Sequence, residues 1–218
     1  MPEGFTGALL AVLALAVLFD YINGFHDTAN AIATSVSTRA LKPQWAIAMS
    51  ATANFVGALT GTAVAKTIGS GLIAPQAEGP TVVAAALVGA IAWNLFTWRF
   101  GVPSSSSHAI IGGLLGASAA GIGFQAWLIP GVLGKVALPL ASSPLIGFSV
   151  GFALMVLIFN VFRRAHPKTI NDRFRRIQIV SAAFIAFSHG SNDAQKTMGV
   201  MTLALFSAGV IPEFKVPL

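Results

Sequence analysis

Long apolar stretches alternate with short polar ones along the chain, and this pattern predicts membrane-spanning helices. A stretch of roughly 20 apolar residues is long enough to cross a bilayer as an α-helix. The predicted fold class is therefore all-α, a polytopic transmembrane helical bundle. The predicted segments cover residues 7–38, 45–68, 81–98, 109–123, 145–162 and 177–211.

The first segment is predicted to be interrupted near its middle. Its polar stretch, Asp20 to Asn30, contains two carboxylates, an imidazole, a glycine and two asparagines. Charged residues are costly at bilayer depth, and glycine and asparagine are poor helix formers. We therefore predict a broken helix whose loosened backbone lines a site for water or ions. The alternative is a capped helix end, with Asn23 or Asp27 as the N-cap.

A second polar stretch, residues 188–196, repeats this plan. Gly24 to Asp27 aligns with Gly190 to Asp193, and an Ala/Thr/Leu-rich half follows each of them. Because five crossings precede residue 177, a repeated unit that starts there would run through the membrane in the opposite direction. The pattern thus predicts inverted repeats with broken helices. The predicted regions are the first transmembrane repeat at 1–162, a basic cytoplasmic loop at 163–176 and the incomplete second repeat at 177–218.

Asp27 and Asp193 are the candidate sites for a coupling cation. Carboxylates beside asparagine side chains, such as that of Asn23, offer oxygen ligands to Na⁺, whereas a carboxylate buried at that depth can instead carry a proton. The residues leave both ions open. The structural alternative is that each aspartate caps its own second half-helix. His26 and His108 are the candidates for a proton relay.

Four consecutive serines precede the fourth apolar segment. Ser104 to Ser107 follow Gly101 and Pro103, which favours a helix start in a serine-led hairpin or half-helix. Free backbone N–H groups, the positive end of the helix dipole and several hydroxyls suit phosphate or sulfate. Simple N-capping of the helix is the alternative.

The composition supports a membrane protein. Of the 218 residues, 55 % are hydrophobic and 9 % are charged, whereas soluble domains carry about 25 % charged residues. The chain has no cysteine, which excludes disulfides and thiolate metal sites. The net charge of +6 does not indicate nucleic-acid binding, because the basic residues cluster beside apolar segments. By the positive-inside rule, residues 163–176, Arg39, Lys42 and Arg99 are predicted to face the cytoplasm, and the N-terminus the outside.

Three motifs together resemble those of the bacterial branch of the inorganic phosphate transporter (PiT) family. The motifs are Asn23-Gly-Phe-His-Asp27-Thr-Ala-Asn30, Gly101-Val-Pro-Ser-Ser-Ser-Ser-His108 and Ser188-His-Gly-Ser-Asn-Asp193-Ala-Gln-Lys196. The resemblance implies a secondary transporter of the cell membrane that takes up inorganic phosphate with H⁺ or Na⁺, in some members as a metal–phosphate complex. It implies coupling-cation roles for Asp27 and Asp193. The implied phosphate contacts are Asn30, Asn192, Ser104, Ser105, Ser106 and Ser107.

Several expectations accompany this resemblance. The chain stops at Leu218, one segment into the second repeat, so we expect a fragment of a longer protein; a homo-oligomer is left open. We expect no cofactor beyond the coupling ion, no nucleic acid partner and no enzymatic activity. Two other functions are compatible with parts of the pattern. One is a transporter or channel for another oxyanion such as sulfate, and the other is an intramembrane hydrolase that uses Ser104 and His108 on one helix face, although no nucleophile elbow is present.

Overall fold

The computed structural model describes residues 7–69, 71–74 and 79–216, apart from the side chain of Thr28. These residues form helices joined by short connections, without a β-strand, so the all-α prediction is confirmed. The α-helices of the described part are α1 Gly7–Ser37, α2 Pro43–Ala58, α3 Ala63–Gly69, α4 Pro80–Phe100, α5 Ser106–Ile122, α6 Ile129–Val132, α7 Leu138–Phe162 and α8 Pro167–Ser207.

Helix α1 runs unbroken through the polar stretch, so the predicted interruption is wrong, as is the alternative of a helix end at Asn23 or Asp27. Its 31 residues include Gly24. In an unbroken helix the interior backbone groups bond within the segment, and this is decisive where water is excluded. A single glycine weakens a helix by only about 1 kcal/mol relative to alanine, which tertiary packing readily offsets.

Helix α8 is likewise continuous over 41 residues, so the second predicted break is also wrong. The helix also takes in most of the predicted basic loop, because only residues 163–166 separate it from α7. Pro167 occupies the first turn of α8, where its missing N–H group is not needed. The boundary between the predicted loop and second repeat therefore falls inside one helix.

Two other segment boundaries differ from prediction. The segment predicted over 45–68 is divided into α2 and α3, because the chain leaves the helix after Ala58; Thr60 then donates its hydroxyl proton to the Gly57 carbonyl at 2.6 Å. The stretch 124–140, predicted to be a connection, is helical from Ile129 onward. Helix α6 continues through a π-helical turn, Leu133–Ala137, into α7.

Helices α1 and α8 lie side by side in opposite directions and form the centre of the bundle. Thr197 contacts Asp20, whereas Gln178, more than four turns earlier in α8, contacts Thr38 just beyond the end of α1. Apolar side chains of α1, α4, α5 and α8 fill the core between them. Its fully buried members include Phe19, Leu87, Ile110, Leu114 and Leu203.

Glycines allow α2 to cross α8 with their backbones in contact. A Cβ atom at Gly57 would collide with the Phe187 carbonyl oxygen, and one at Gly190 would collide with the Asn54 carbonyl oxygen. Small residues at a helix interface permit this close approach. The crossing brings Asn54 of α2 beside the middle of α8.

Helices α4 and α5 form the serine-led hairpin, and its turn lies beside the middle of α1, whereas the five predicted crossings would place this turn at the cytoplasmic side. The ring of Trp98, near the end of α4, lies 5.5 Å from the ring of Phe25. Phe25 is about 18 Å along α1 from Ser37, at 1.5 Å per residue. Arg99 therefore lies near the tip of the hairpin. The prediction that Arg99 and Arg39 share the cytoplasmic side required it to lie at the end of α1 that precedes Arg39.

Contacts between distant parts of the sequence join the connections at opposite ends of the bundle. At one end, an Arg175 guanidinium N–H donates to the Thr38 carbonyl at 2.7 Å. At the other, the Ala74 N–H donates to the Ala126 carbonyl at 2.7 Å, and Leu128 N–H donates to the Leu72 carbonyl at 3.0 Å. Three helical stretches of the described part are long and apolar enough to cross a bilayer, namely Gly7–Ser37, Pro80–Phe100 and Ile129–Phe162.

Candidate functional site

Polar residues of α1 and α8 face each other across the interface between these helices. On α1, Asp20, Asn23 and Asp27 are spaced as residues of one helix face. The continuous helix therefore presents all three to the same neighbour. Helix α8 opposes them with residues at the same kind of spacing, His189, Asp193, Lys196 and Thr197.

Asp193 is the centre of this network. It is 9 % exposed, and its Oδ2 accepts a hydrogen bond from Asn23 Nδ2 at 2.9 Å. The same oxygen lies 2.9 Å from His189 Nε2, and Oδ1 lies 2.6 Å from Lys196 Nζ. A buried carboxylate is tolerated when paired in this way, because its partners replace the lost hydration.

Ser106, the first residue of α5, links Asp27 to Asp193 by way of Lys196. Its hydroxyl accepts a hydrogen bond from Lys196 Nζ at 2.9 Å and donates one to Asp27 Oδ2 at 3.3 Å. The other oxygen of Asp27, Oδ1, lies 3.0 Å from His26 Nδ1. Ser106 and Lys196 are 2 % and 3 % exposed, so this connection lies in the interior.

Two side branches extend the network. The Thr197 hydroxyl donates to Asp20 Oδ1 at 2.8 Å. On the other side, His189 Nδ1 lies 3.0 Å from Asn54 Oδ1, and the Asn54 amide donates to the Ser50 carbonyl at 2.8 Å. A cavity of about 260 Å³ opens beside this second branch. Its polar lining includes Asp20, Asn23, Ser50, Asn54, His189 and Asp193.

A larger cavity, of about 830 Å³, lies at the start of α8 and is separate from this network. Lys168, Asp172 and Arg175 are among its lining residues, together with Thr38. These side chains are exposed, and the cavity lies at the bundle end where Arg175 meets Thr38. We therefore place the candidate site at the interior network, where buried charges require an explanation.

The structure brings together Asn23, Asp27, Asp193 and Ser106, and it places the other serines around them. The hydroxyl oxygen of Ser105 accepts from the His108 N–H at 3.4 Å, so Ser105 caps α5. The Ser104 hydroxyl oxygen accepts from the Trp93 indole N–H at 2.9 Å. Ser107 is half-buried and His108 is exposed, both in the first turn of α5.

Asn30 and Asn192, the predicted phosphate contacts from the two signature motifs, lie outside the network. Both are exposed, and the Asn192 amide donates to the Ser188 carbonyl of its own helix at 2.8 Å. His26, a predicted proton relay, does contact the network through Asp27. The roles assigned to these three residues stay predictions.

The sequence motifs did not indicate His189 or Thr197 as site residues. They left Lys196 open between a partner of Asp193, an anion ligand and a local ion pair, and they made Asn54 only a weaker candidate, with an amide bridging two helices as the favoured interpretation. A signal for the α8 residues was present, because His189, Asp193 and Lys196 are spaced at i, i+4 and i+7. The predicted helix break concealed this pattern, since residues beyond a break would not share a face. No local signal in the sequence distinguishes Asn54, which the glycine crossing of α2 and α8 brings into place.

The network can hold a small cation or a proton. Asp27, His189 and Asp193 each offer a ligand atom, and these atoms lie within 4.8 Å of one another. Carboxylate oxygens suit hard cations, whereas an imidazole between carboxylates suits a proton. The start of α5 and the Lys196 ammonium add donors that suit an anion at the same place.

The structure does not form the Ser104–His108 arrangement that the alternative hydrolase function would require. Helix α5 begins at Ser106, so Ser104 precedes the helix and the two residues do not share a helix face. The hydroxyl oxygen of Ser104 faces the Trp93 indole. A nucleophilic serine instead requires a base within hydrogen-bond reach, held in place by a third group.

Fold and site together define a helical membrane protein with a buried, charged polar network between its helices. Residues 23–169 and 161–217 match the Phosphate transporter family. Because these matches cover most of the sequence, the chain belongs to the Phosphate transporter family.

Individual relatives agree with this assignment. The chain is 52 % identical over 204 residues to a "Probable low-affinity inorganic phosphate transporter" of Bacillus subtilis, a match covering 93 % of this chain and 60 % of the relative. A protein of the same description from Streptomyces halstedii is 50 % identical over 184 residues, covering 84 % of this chain and 85 % of that one. The chain thus spans about 60 % of the length of the Bacillus relative.

A solved structure has the same fold. "The sodium-dependent phosphate transporter" superposes with a TM-score of 0.80 at 21 % identity, over 97 % of this chain and 71 % of that one. The overall fold of this chain therefore occurs in a solved structure.

Proposed function

We propose that the chain forms part of a secondary transporter of inorganic phosphate, driven by a coupling cation and working by alternating access. The observation that carries the proposal is the contact of Ser106 with both Asp27 and Lys196. It places a helix N-terminus, which suits phosphate, within hydrogen-bond distance of a carboxylate, which suits a cation. Membership of the Phosphate transporter family and the names of the relatives support phosphate as the substrate.

Phosphate would bind at the start of α5. We assign its contacts to the serine run, Ser104 to Ser107, and first of all to Ser106, which the network already reaches. Asn30 and Asn192 would contribute after a rearrangement, because both are exposed in this structure. Such rearrangement is part of alternating access, in which one bundle moves against the other around the substrate.

Charge explains why the anion would need a coupling cation. Asp20, Asp27 and Asp193 contribute three carboxylates and Lys196 one ammonium, which leaves a formal charge of −2 while the imidazoles are neutral. Repulsion between like charges is strong where little water screens it. A cation or proton bound near Asp27 or Asp193 lowers this repulsion and would be carried with the phosphate.

The coupling ion is Na⁺ or H⁺ in this proposal, and the membrane would be the cell membrane. Asn23, Asp27 and Asp193 are the proposed cation contacts, and His26 and His108 the proposed proton relay. A solved relative is named sodium-dependent, which supports Na⁺ as one candidate. We assign no enzymatic step to the chain, since its relatives are named as transporters.

Uptake of radiolabelled phosphate tests the function and the site together. The whole protein encoded by the gene is produced in cells without other phosphate uptake systems, and D27N and S106A are compared with wild type. Each substitution removes a charge-assisted hydrogen bond at the centre of the site, so we expect uptake to fall at least roughly tenfold.

Two matched substitutions control for general effects. D172N removes an exposed carboxylate at the start of α8, and S149A removes an exposed hydroxyl that bonds to the Leu145 carbonyl of its own helix. Both should transport as wild type. Undiminished uptake by D27N and S106A would remove the site assignment. Excess arsenate should compete and sulfate should not; the reverse result would identify a carrier of a different oxyanion.

A further inference from the structure

Lys196 is a buried lysine whose ammonium joins two helices at the proposed site. Its side chain is 3 % exposed, and Nζ lies 2.6 Å from Asp193 Oδ1 and 2.9 Å from Ser106 Oγ. An ammonium carries three donors, and these two contacts use two of them. A buried ammonium is costly unless paired, so these contacts hold it in place between α8 and α5.

The position of Lys196 corresponds to that of Asn30 in the first motif. When Gly24 to Asp27 is aligned with Gly190 to Asp193, each of these two residues stands three positions after its aspartate. Asn30 is a neutral, exposed amide, whereas Lys196 is a buried cation. The two motifs therefore differ in charge at an equivalent position.

The two aspartates consequently have different partners. Asp193 contacts the Lys196 ammonium, the Asn23 amide and the His189 ring. Among the described residues, Asp27 contacts the His26 ring and the Ser106 hydroxyl, neither of which is a permanent cation. Of these two aspartates, only Asp193 has a permanently charged cation within 3 Å in the described part of the chain.

We propose that Lys196 is a resident cation. Its ammonium occupies the place beside Asp193 that an exchangeable cation would otherwise take. The exchangeable Na⁺ or H⁺ therefore binds to the carboxylate of Asp27. This inference rests on the proposed function and narrows its cation contacts, because Asp193 is then paired with Lys196 and the exchangeable ion binds at Asp27. It implies that removing the ammonium creates a second place for Na⁺ without any other change in the site.

Thermal unfolding of the protein in detergent tests this directly. Unfolding is followed in NaCl and in choline chloride at constant ionic strength, for wild type, K196Q, K196R and K168Q. In K196Q the Na⁺ concentration that gives half of the maximal stabilisation should fall at least tenfold. K196R keeps a positive charge at this position and should not gain the tighter Na⁺ response. K168Q removes an exposed lysine from the same helix and should respond as wild type.

A double variant identifies the carboxylate involved. D27N should lose the Na⁺ response, whereas D27N/K196Q should regain one through Asp193. The proposal is overturned if K196Q responds to Na⁺ as wild type does, or if D27N/K196Q shows no response. If K196Q unfolds in choline chloride but folds in NaCl, the proposal is supported. If it is unfolded in both salts while D193N/K196Q folds, the lysine is only a structural ion-pair partner and the proposal fails.

The outcome is separable from that of the uptake experiment, because unfolding requires no transport. A protein without phosphate uptake whose K196Q variant gains Na⁺ binding would refute the proposed function and keep the resident cation. Phosphate uptake that depends on Asp27, together with an unchanged Na⁺ response in K196Q, would support the proposed function and refute the resident cation.

Discussion

Asn23 shows how closely a single buried side chain is adapted to the charges around it. The residue is 1 % exposed, and its amide nitrogen donates to Asp193 while its Oδ1 has no hydrogen-bond partner among the described residues. An unpaired buried oxygen costs about 1–3 kcal/mol. The amide N–H donor of Asn23 therefore matters more than its amide oxygen, since the Asp193 carboxylate requires a hydrogen-bond donor.

Replacing Asn23 by aspartate should destabilise the protein. N23D puts a second carboxylate against Asp193 Oδ2 and removes the donor, so we expect the free energy of unfolding at neutral pH to fall by at least about 2 kcal/mol. Unfolding in mixed detergent micelles measures the change. N171D, an equivalent substitution at an exposed position of α8, should change stability by less than about 0.5 kcal/mol. Equal stabilities of the two variants would show that the contact of Asn23 with Asp193 is not significant.

The kinds of residue at the site could be predicted, but their partners could not. Asp27, Asp193 and the serine run were predicted from the rarity of charge in apolar segments and from helix-start chemistry. Which of the four serines reaches the aspartates depends on where α5 begins. Since α5 starts at Ser106, that residue faces Asp27 while Ser105 becomes the cap. A helix start is a matter of one or two residues, and local sequence fixes it poorly.

At the scale of elements, continuity of α1 and α8 is what assembles the site. The apolar pattern predicted where these helices lie, but propensity alone argued for breaks at Gly24 and Gly190. Packing against neighbouring helices outweighs propensity in such cases. Gly190 in fact serves the crossing with α2, since a Cβ there would collide with the Asn54 carbonyl oxygen. Glycine in these helices thus indicates close packing and not a loosened backbone.

The α4–α5 hairpin offers a matched test of close packing. A Cβ at Gly113 would lie 2.5 Å from the Ala86 carbonyl oxygen, whereas one at Gly112 would have nothing within 4 Å. G113A should therefore lower the free energy of unfolding by about 1–3 kcal/mol, because α5 must move away from α4. G112A should raise it by about 0.5–1 kcal/mol, because alanine favours the helix over glycine. Similar effects of the two substitutions would contradict the packing of this hairpin.

For the whole molecule, contacts at opposite ends of the bundle separate the segments predicted to be cytoplasmic from those predicted to lie outside, whereas the α4–α5 hairpin departs from the predicted crossing order. The connection after α1 meets the start of α8, and residues 71–74 meet residues 126–128. The positions of the basic residues predict which connections lie at the same end of the bundle, because the charge of a loop can be read from its local sequence. Arg99 did not follow the rule, since the α4–α5 hairpin turns beside the middle of α1 and no local pattern reveals that depth.

The absolute orientation stays a prediction, and the absence of cysteine from the sequence makes it directly testable. Single cysteines are introduced as K168C, in the basic segment, and Q125C, at the other end of the bundle. The helical stretch Ile129–Phe162 lies between them and is long and apolar enough to cross the bilayer. A membrane-impermeant maleimide added to intact cells should label Q125C, and it should label K168C only after permeabilisation.

The long helix between these positions determines what each result means. No residue of α7 is buried and most are exposed, among them Phe148, Phe152 and Leu157, as expected of a helix that faces lipid or another part of the membrane assembly. Labelling of both cysteines from the same side would show that Ile129–Phe162 does not cross, and the crossing order would fail with it. Labelling of K168C alone in intact cells would keep the crossing order and invert the orientation. The protein without an introduced cysteine is treated in the same way and sets the background of the measurement.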